Sequence, residues 1–264
     1  MARAHPNAST TTMSSTPDAL QAAQADFYNS LTGPYTAPSG ITNGFQELSD
    51  SELQFIGAQA VIDAGYTGNR SHIEYLFESI WYPWIPTPYY APLANESYIS
   101  VTASSMVQLS RGNITLRTNS MSDAPLINPN YYADETDGRI GIHSFKVLRD
   151  ILRNPALAQF TIGDNAGEVS PGPEVGDDDD EAILRYIKNN TIPNWHASGT
   201  VQMLPLEDGG VVDPRLRVYG VEGLRVIDCS VIPVLPDVNI LASIYMIAEK
   251  GADMIKEDWG DVGY

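Results

Sequence analysis

Disulfide chemistry is closed to this chain, because its 264 residues include a single cysteine, Cys229. Every multi-cysteine zinc pattern is closed for the same reason. Histidine is scarce too. His5, His72, His143 and His196 are the whole set, and no two stand at helical ligand spacing around a carboxylate, so no metal site is expected. Positive charge is also short: 15 Lys and Arg face 33 Asp and Glu, for a formal net charge of −18 and a pI near 4.3. Such a field repels polyphosphate and anionic lipid, which excludes nucleic acid and membrane surfaces as expected partners. No run of about 18 apolar residues occurs that could span a bilayer. The opening M-A-R-A-H-P-N-A-S-T-T-T-M-S-S-T lacks the apolar core of a signal peptide, making the cytoplasm the default expectation. Five N-x-S/T sequons, at Asn7, Asn69, Asn95, Asn113 and Asn189, point instead to a secreted ancestry and a glycoprotein.

What the chain does contain is 43% hydrophobic and 18% charged residues, enough for a globular protein with a sizeable core. Residues 1 to about 17 read as a polar tail. A helix is predicted from Pro17-Asp18, ending before Gly33-Pro34, and a second over Leu48 to Asp63, stopped by Gly65. Between Trp81 and Leu93 four prolines interrupt an aromatic run, W-Y-P-W-I-P-T-P-Y-Y-A-P-L, and forbid a regular element. That loop is either a packed surface loop or the lining of a substrate entrance. Tyr98 to Leu109 and Asn113 to Thr118 read as strands joined by a turn at Ser110-Arg111-Gly112, and Pro125 to Tyr131 as an irregular crossing. Asp137 to Arg153 reads as helix.

The run D-D-D-D from Asp177 feeds another helix, at the end where the dipole favours negative charge. A calcium site is the alternative for that run, although consecutive aspartates lack the alternating ligand spacing of a calcium loop. Further on, Leu216 to Tyr219 and Leu224 to Ile227 are predicted strands, and Asn239 opens a long helix to about Asp258. Its apolar positions Ile240, Leu241, Ile244, Ile247, Ala248, Gly251, Met254 and Ile255 repeat at three and four, predicting one buried face.

Several long motifs in order carry a family resemblance. W-H-A-S-G-T-V-Q-M, then G-V-V-D-P-R-L-R-V-Y-G-V-E-G-L-R-V-I-D-C-S-V-I-P and P-D-V-N-I-L-A-S-I-Y-M-I-A-E-K-G-A-D-M-I closely resemble the C-terminal signature of the glucose-methanol-choline (GMC) flavoprotein oxidoreductases. Upstream, V-Q-L-S-R-G-N-I-T-L-R and P-L-I-N-P-N-Y-Y-A-D-E-T-D resemble the substrate-domain signature of that family. The resemblance runs from about residue 20 to the end. It implies that His196 is the catalytic base and Asn239 the second active-site position. It further implies that Asp228, Cys229, Asn239 and Ile240 lie against the flavin of FAD. The chemistry is intelligible in itself: imidazole can accept an alcohol's proton near neutral pH, and an amide can donate to the developing alkoxide. The helix start at Asn239-Ile240 offers N–H groups and a positive dipole to a reduced, anionic flavin.

The family's nucleotide-binding unit carries G-x-G-x-x-G, and no G-x-G occurs in this sequence. The chain is therefore expected to be a truncated or partial GMC oxidoreductase oxidising a small-molecule alcohol, with FAD held in a complemented assembly. The complement is a separate N-terminal FAD-domain chain, or the chain forms a homodimer. Two other readings stay open: a flavin-free homologue in which His196 is an acid or base for an isomerase, cyclase or lyase step, and an inactive binding or scaffold subunit. The expected fold is α+β. Residues 1–30 form the tail and first helix, 31–190 an antiparallel-sheet substrate-binding domain with helices, and 191–264 the returning segment of a flavin-binding domain.

Overall fold

A computed structural model describes residues 1–10, 17–36, 40–81, 93 and 96–260. The aromatic-proline loop therefore lies outside the described residues, apart from Trp81 and Leu93. Helices combine with antiparallel sheet, as expected, in two compact units: Met1–Leu109 with Tyr132–Ile192, and Ser110–Tyr131 with Pro193–Tyr264. Residues 110–131 thus group with the C-terminal stretch, whereas the sequence reading put them within 31–190.

The first unit is built on a four-stranded antiparallel sheet. Its strands are β1 (Ala2–Ala4), β2 (Gly40–Gln46), β3 (Ile73–Glu78) and β4 (Ser97–Ser105), in the order β1-β4-β3-β2. Alternation in β3 sends Ile73, Tyr75 and Phe77 into a core with Leu48, Leu53, Val61, Val107, Ile140 and Leu148. Leu53 comes from α2 (Asp50–Phe55), Val61 from α3 (Gln59–Asp63), and Ile140 and Leu148 from α4 (Glu135–Arg153), while α1 (Pro17–Ser30) precedes β2. A single helix over Leu48 to Asp63 is not what forms. Gly57 stands at φ +75° and splits it, and a β-carbon there would fall 2.0 Å from Arg139 Nη1. His72 is fully buried between two backbone groups: its Nδ1 accepts from Leu48 N at 3.0 Å and its Nε2 lies 2.8 Å from the Tyr66 carbonyl. One histidine is thereby accounted for as a hydrogen-bonded structural group.

The polar tail is also corrected. Ala2 and Ala4 are buried on either side of exposed Arg3, and β1 pairs with β4 through Ala2↔Ile99 and Ala4↔Ser97. Three residues of alternation are too few to show in composition.

α4 is capped by Asp134, whose carboxylate accepts from Thr136 N at 2.9 Å, and it buries Ile140, Ser144, Leu148 and Leu152 at four-residue spacing. After α5 (Pro155–Ala158) comes α6 (Asp180–Asn189), capped by Asp179 through Ala182 N at 2.9 Å. The acidic run is shared out among cations and the helix start. Asp177 takes Arg149 at 2.8 Å and Arg153 at 2.6 Å, and Asp180 takes Lys146 at 2.6 Å. Arg149 is buried, stacks on Phe145, and grips the sheltered Glu168 carboxylate with Nε at 3.0 Å and Nη2 at 2.7 Å. Burial opposes its charge, but the bonds from Glu168 and Asp177 outweigh that and raise its pKa.

The second unit holds a two-stranded ribbon, β5 (Asn113–Thr115) paired with β6 (Leu126–Asn128). β5 was expected to pair with the strand before it, and Pro125 to Tyr131 to be irregular. Close approach explains the difference: a β-carbon at Gly112 would meet the Asn128 carbonyl at 2.3 Å, so only glycine lets the two segments run this close. The strands predicted over Leu216 to Tyr219 and Leu224 to Ile227 shrink to isolated bridges, Arg217↔Arg225 and Val212↔Val218. Left-handed Leu216 (φ 63°) interrupts the extension there.

The last helix, α7 (Leu241–Trp259), packs Ile247 and Met254 against Val212, Leu216, Val231 and Ile227. Its predicted buried face is split: Gly251 and Met254 are buried, but Leu241, Ala248 and Ile255 are exposed. Gly251 brings the helix onto Ile227, since a β-carbon would sit 2.5 Å from Ile227 Cγ2. Gly251→Ala should therefore cost about 1–3 kcal/mol by overpacking, with most of the loss recovered in a Gly251→Ala/Ile227→Ala double variant. Urea denaturation of the single and double variants measures this.

Two groups of the first unit set a pH dependence. The Arg153 hydrogen bond, aided by Arg149, holds the Asp177 pKa below its ordinary 3.8, so its contribution is present above that value and is lost as pH falls through the lower folded pKa. Burial lowers the pKa of His143 below its ordinary 6.5, and its Nε2 is buried without a hydrogen-bond partner. The unfolded chain consequently takes this proton first, and stability drops as pH falls below about 6.5. A urea midpoint measured against pH should decline between pH 7 and 5, and His143→Gln should flatten that decline.

Candidate active site

Within the second unit, residues 199–203 lie alongside 229–231. Gly199 N donates to Cys229 O at 3.2 Å, Val201 N to Ser230 O at 2.9 Å, and Met203 N to Val231 O at 2.9 Å. Gln202 Nε2 adds a bond to Pro233 O at 2.9 Å. Gly199, at φ +75°, leaves room for the Ile232 carbonyl, which a β-carbon would approach to 3.2 Å. These bonds fix the segment before Gly199 relative to the segment after Ile232.

His196 lies on the first of those segments and Asn239 on the second. Their side chains meet, with His196 Nε2 2.7 Å from Asn239 Oδ1. The turn that delivers His196 closes through His196 N to Pro193 O at 3.0 Å, and it runs through two consecutive left-handed residues, Asn194 (φ 50°) and Trp195 (φ 58°). Asparagine tolerates that region, but for tryptophan it is an outlier of order 1–3 kcal/mol. Asp228 caps the short helical turn Cys229–Val231, accepting from Ser230 N at 2.8 Å. Cys229 is half-buried, and its thiol donates to Ala197 O at 3.5 Å. Ile240 is buried immediately before α7.

The structure therefore brings His196 and Asn239 into direct contact and places Asp228 and Cys229 on the segment paired with residues 199–203. Gln202 and Trp195 also shape this region. Gln202 stands in the quoted W-H-A-S-G-T-V-Q-M run without being singled out, and nothing in a tryptophan signals a positive φ.

The fit of a flavin can be judged from the same atoms. No side chain caps α7 at Ile240, and Leu241 and Ala242 are exposed at its first turn, where a helix start favours an electron-rich group.

The chain is similar to several known proteins. Residues 108–248 match the family described as GMC oxidoreductase. The chain is 32% identical over 232 residues to the dehydrogenase pkfF of Emericella nidulans, covering 87% of this chain and 36% of that one. It is 35% identical over 243 residues to the glucose methanol choline oxidoreductase atC of Aspergillus terreus, covering 92% and 37%. Among solved structures, a variant of the Aspergillus oryzae RIB40 formate oxidase, described for its effect on FAD modification, aligns with TM-score 0.77 at 26% identity over 93% of this chain and 43% of that one. The chain belongs to the GMC oxidoreductase family. It spans little more than a third of the length of the two relatives named.

With Asn239 Oδ1 accepting, Nε2 carries the imidazole proton. Long-range ¹H–¹⁵N spectra of the substrate-free chain should show the Nε2–H tautomer at His196, and Asn239→Leu should abolish that preference. A dominant Nδ1–H tautomer would contradict the pairing.

Proposed function

We propose that this chain supplies the proton-accepting half of a flavin-dependent alcohol oxidoreductase. The observation that carries the reading is the 2.7 Å contact between His196 Nε2 and Asn239 Oδ1, in a chain whose signature places it in the GMC family. A substrate hydroxyl that reaches the imidazole and the amide would take the place of their mutual hydrogen bond. Rotating the Asn239 amide by 180° turns Nδ2–H inward and lets Nε2 present a lone pair, with the ring proton on Nδ1. An alcohol then donates its O–H to Nε2 and accepts from Nδ2–H. As the O–H proton passes to His196, the C–H bond breaks with its electron pair and the C=O bond forms. Asn239 meanwhile stabilises the negative charge that develops on oxygen. FAD, when bound, supplies the two-electron acceptor for that hydride. Asp228, Cys229 and the backbone of Asn239-Ile240 would hold its ring end.

The adenosine and pyrophosphate of the cofactor would be held by a nucleotide-binding domain other than the two units described here. Support comes from α7, whose outer face presents Leu241, Tyr245, Ala248, Ala252, Ile255 and Trp259 at alternating four- and three-residue spacing, all exposed. A second apolar stripe on an already packed helix fits a surface that a further domain covers.

In a flavin-loaded assembly, His196→Gln should lower kcat about 10²–10⁴-fold, and Asn239→Ala about 10²–10³-fold, with unchanged circular dichroism. Turnover by His196→Gln within about threefold of the parent would reject His196 as the base.

A further inference from the structure

Resting on the reading of His196 as the base, we infer that Trp195 is the specificity-determining residue, its indole forming the flat wall against which an aromatic alcohol lies. Three observations lead there. The indole is 71% exposed, although its backbone is held at φ 58° directly after Asn194 at φ 50°. A bulky side chain kept in that conformation persists where the surroundings over-determine it, and such residues gather at ligand sites. The next residue in the chain is His196, whose imidazole turns onto Asn239, so the indole is carried one residue from the polar pair.

The far side of the pair is apolar as well. Val238 and Leu241, which bracket Asn239 and Ile240 in the chain, are 47% and 64% exposed. The hydrogen bond that joins His196 to Asn239 brings this stretch alongside the Trp195 turn. A polar spot wide enough for one hydroxyl, flanked on both chain segments by exposed apolar side chains, matches a ligand with one hydroxyl on an apolar body. A polyol would leave its other hydroxyls against valine, leucine and the indole face, without partners. An indole gains more from a planar ring than from an aliphatic chain, through stacking beyond simple burial.

Isothermal titration of the full chain with benzyl alcohol and with glucose tests the inference. Benzyl alcohol should bind, glucose should not, and Trp195→Leu and Trp195→Ala should each weaken benzyl alcohol about tenfold. Trp195→Phe should stay within about threefold. The Leu variant retains apolar bulk, so a folding failure in the Ala variant leaves the comparison intact, and thermal melts report which variants are folded. His196→Gln should also bind benzyl alcohol within about threefold of the parent, which separates the two ideas. Persistent turnover in that variant sinks the base and not the wall. Benzyl alcohol binding that is unchanged in a folded Trp195→Leu, glucose binding as tight as that of benzyl alcohol, or a parent chain that binds neither overturns the role of Trp195.

Discussion

Three backbone hydrogen bonds between residues 199–203 and 229–231 govern how the second unit can work. The side chains that matter lie beyond the ends of that pairing: His196 three residues before Gly199, and Asn239 seven residues after Ile232. Without the pairing, two groups 43 positions apart would meet only at the entropic cost of closing a long loop. With it, each needs only a short, constrained turn. Left-handed Asn194 and Trp195 make one turn, and Pro233 and Pro236 narrow the conformations of the other. Gly199 and Gly251 serve the same end by close approach, one admitting the Ile232 carbonyl and the other seating α7 on Ile227.

The first unit solves a different problem. Its sheet and α4 form a conventional apolar core, yet the fold also buries an arginine. Arg149 is tolerable because Glu168 meets it with two oxygens, Asp177 takes a third N–H, and Phe145 covers its face. Removal of either carboxylate would leave charge stranded out of water, so the network constrains which side chains can follow α4 far more tightly than its net stabilisation suggests.

Much of this was legible from periodicity and caps. α4 and α6 announce themselves through acidic N-termini, α7 through its repeat of three and four, and the pairing of His196 with Asn239 follows from motifs that read in order. What stayed hidden was decided by contacts distant in sequence. Ala2 and Ala4 become a strand because β4 is there to receive them. Leu126–Asn128 pairs with Asn113–Thr115 because Gly112 permits the approach. The helical period of α7 is correctly seen, but period alone cannot tell which of two apolar stripes, the Gly251 and Met254 side or the Leu241 and Tyr245 side, faces the core. The left-handed turn at Trp195 has no compositional mark at all.

The claim at the centre of this account is that one imidazole takes the substrate's proton as the hydride departs. Its most direct test is rapid anaerobic mixing of an alcohol with the flavin-loaded assembly, following loss of the oxidised flavin absorbance across pH. The account predicts a bleaching rate that rises with pH and reaches a plateau as a single group loses its proton. A rate independent of pH throughout, at saturating alcohol, would contradict it.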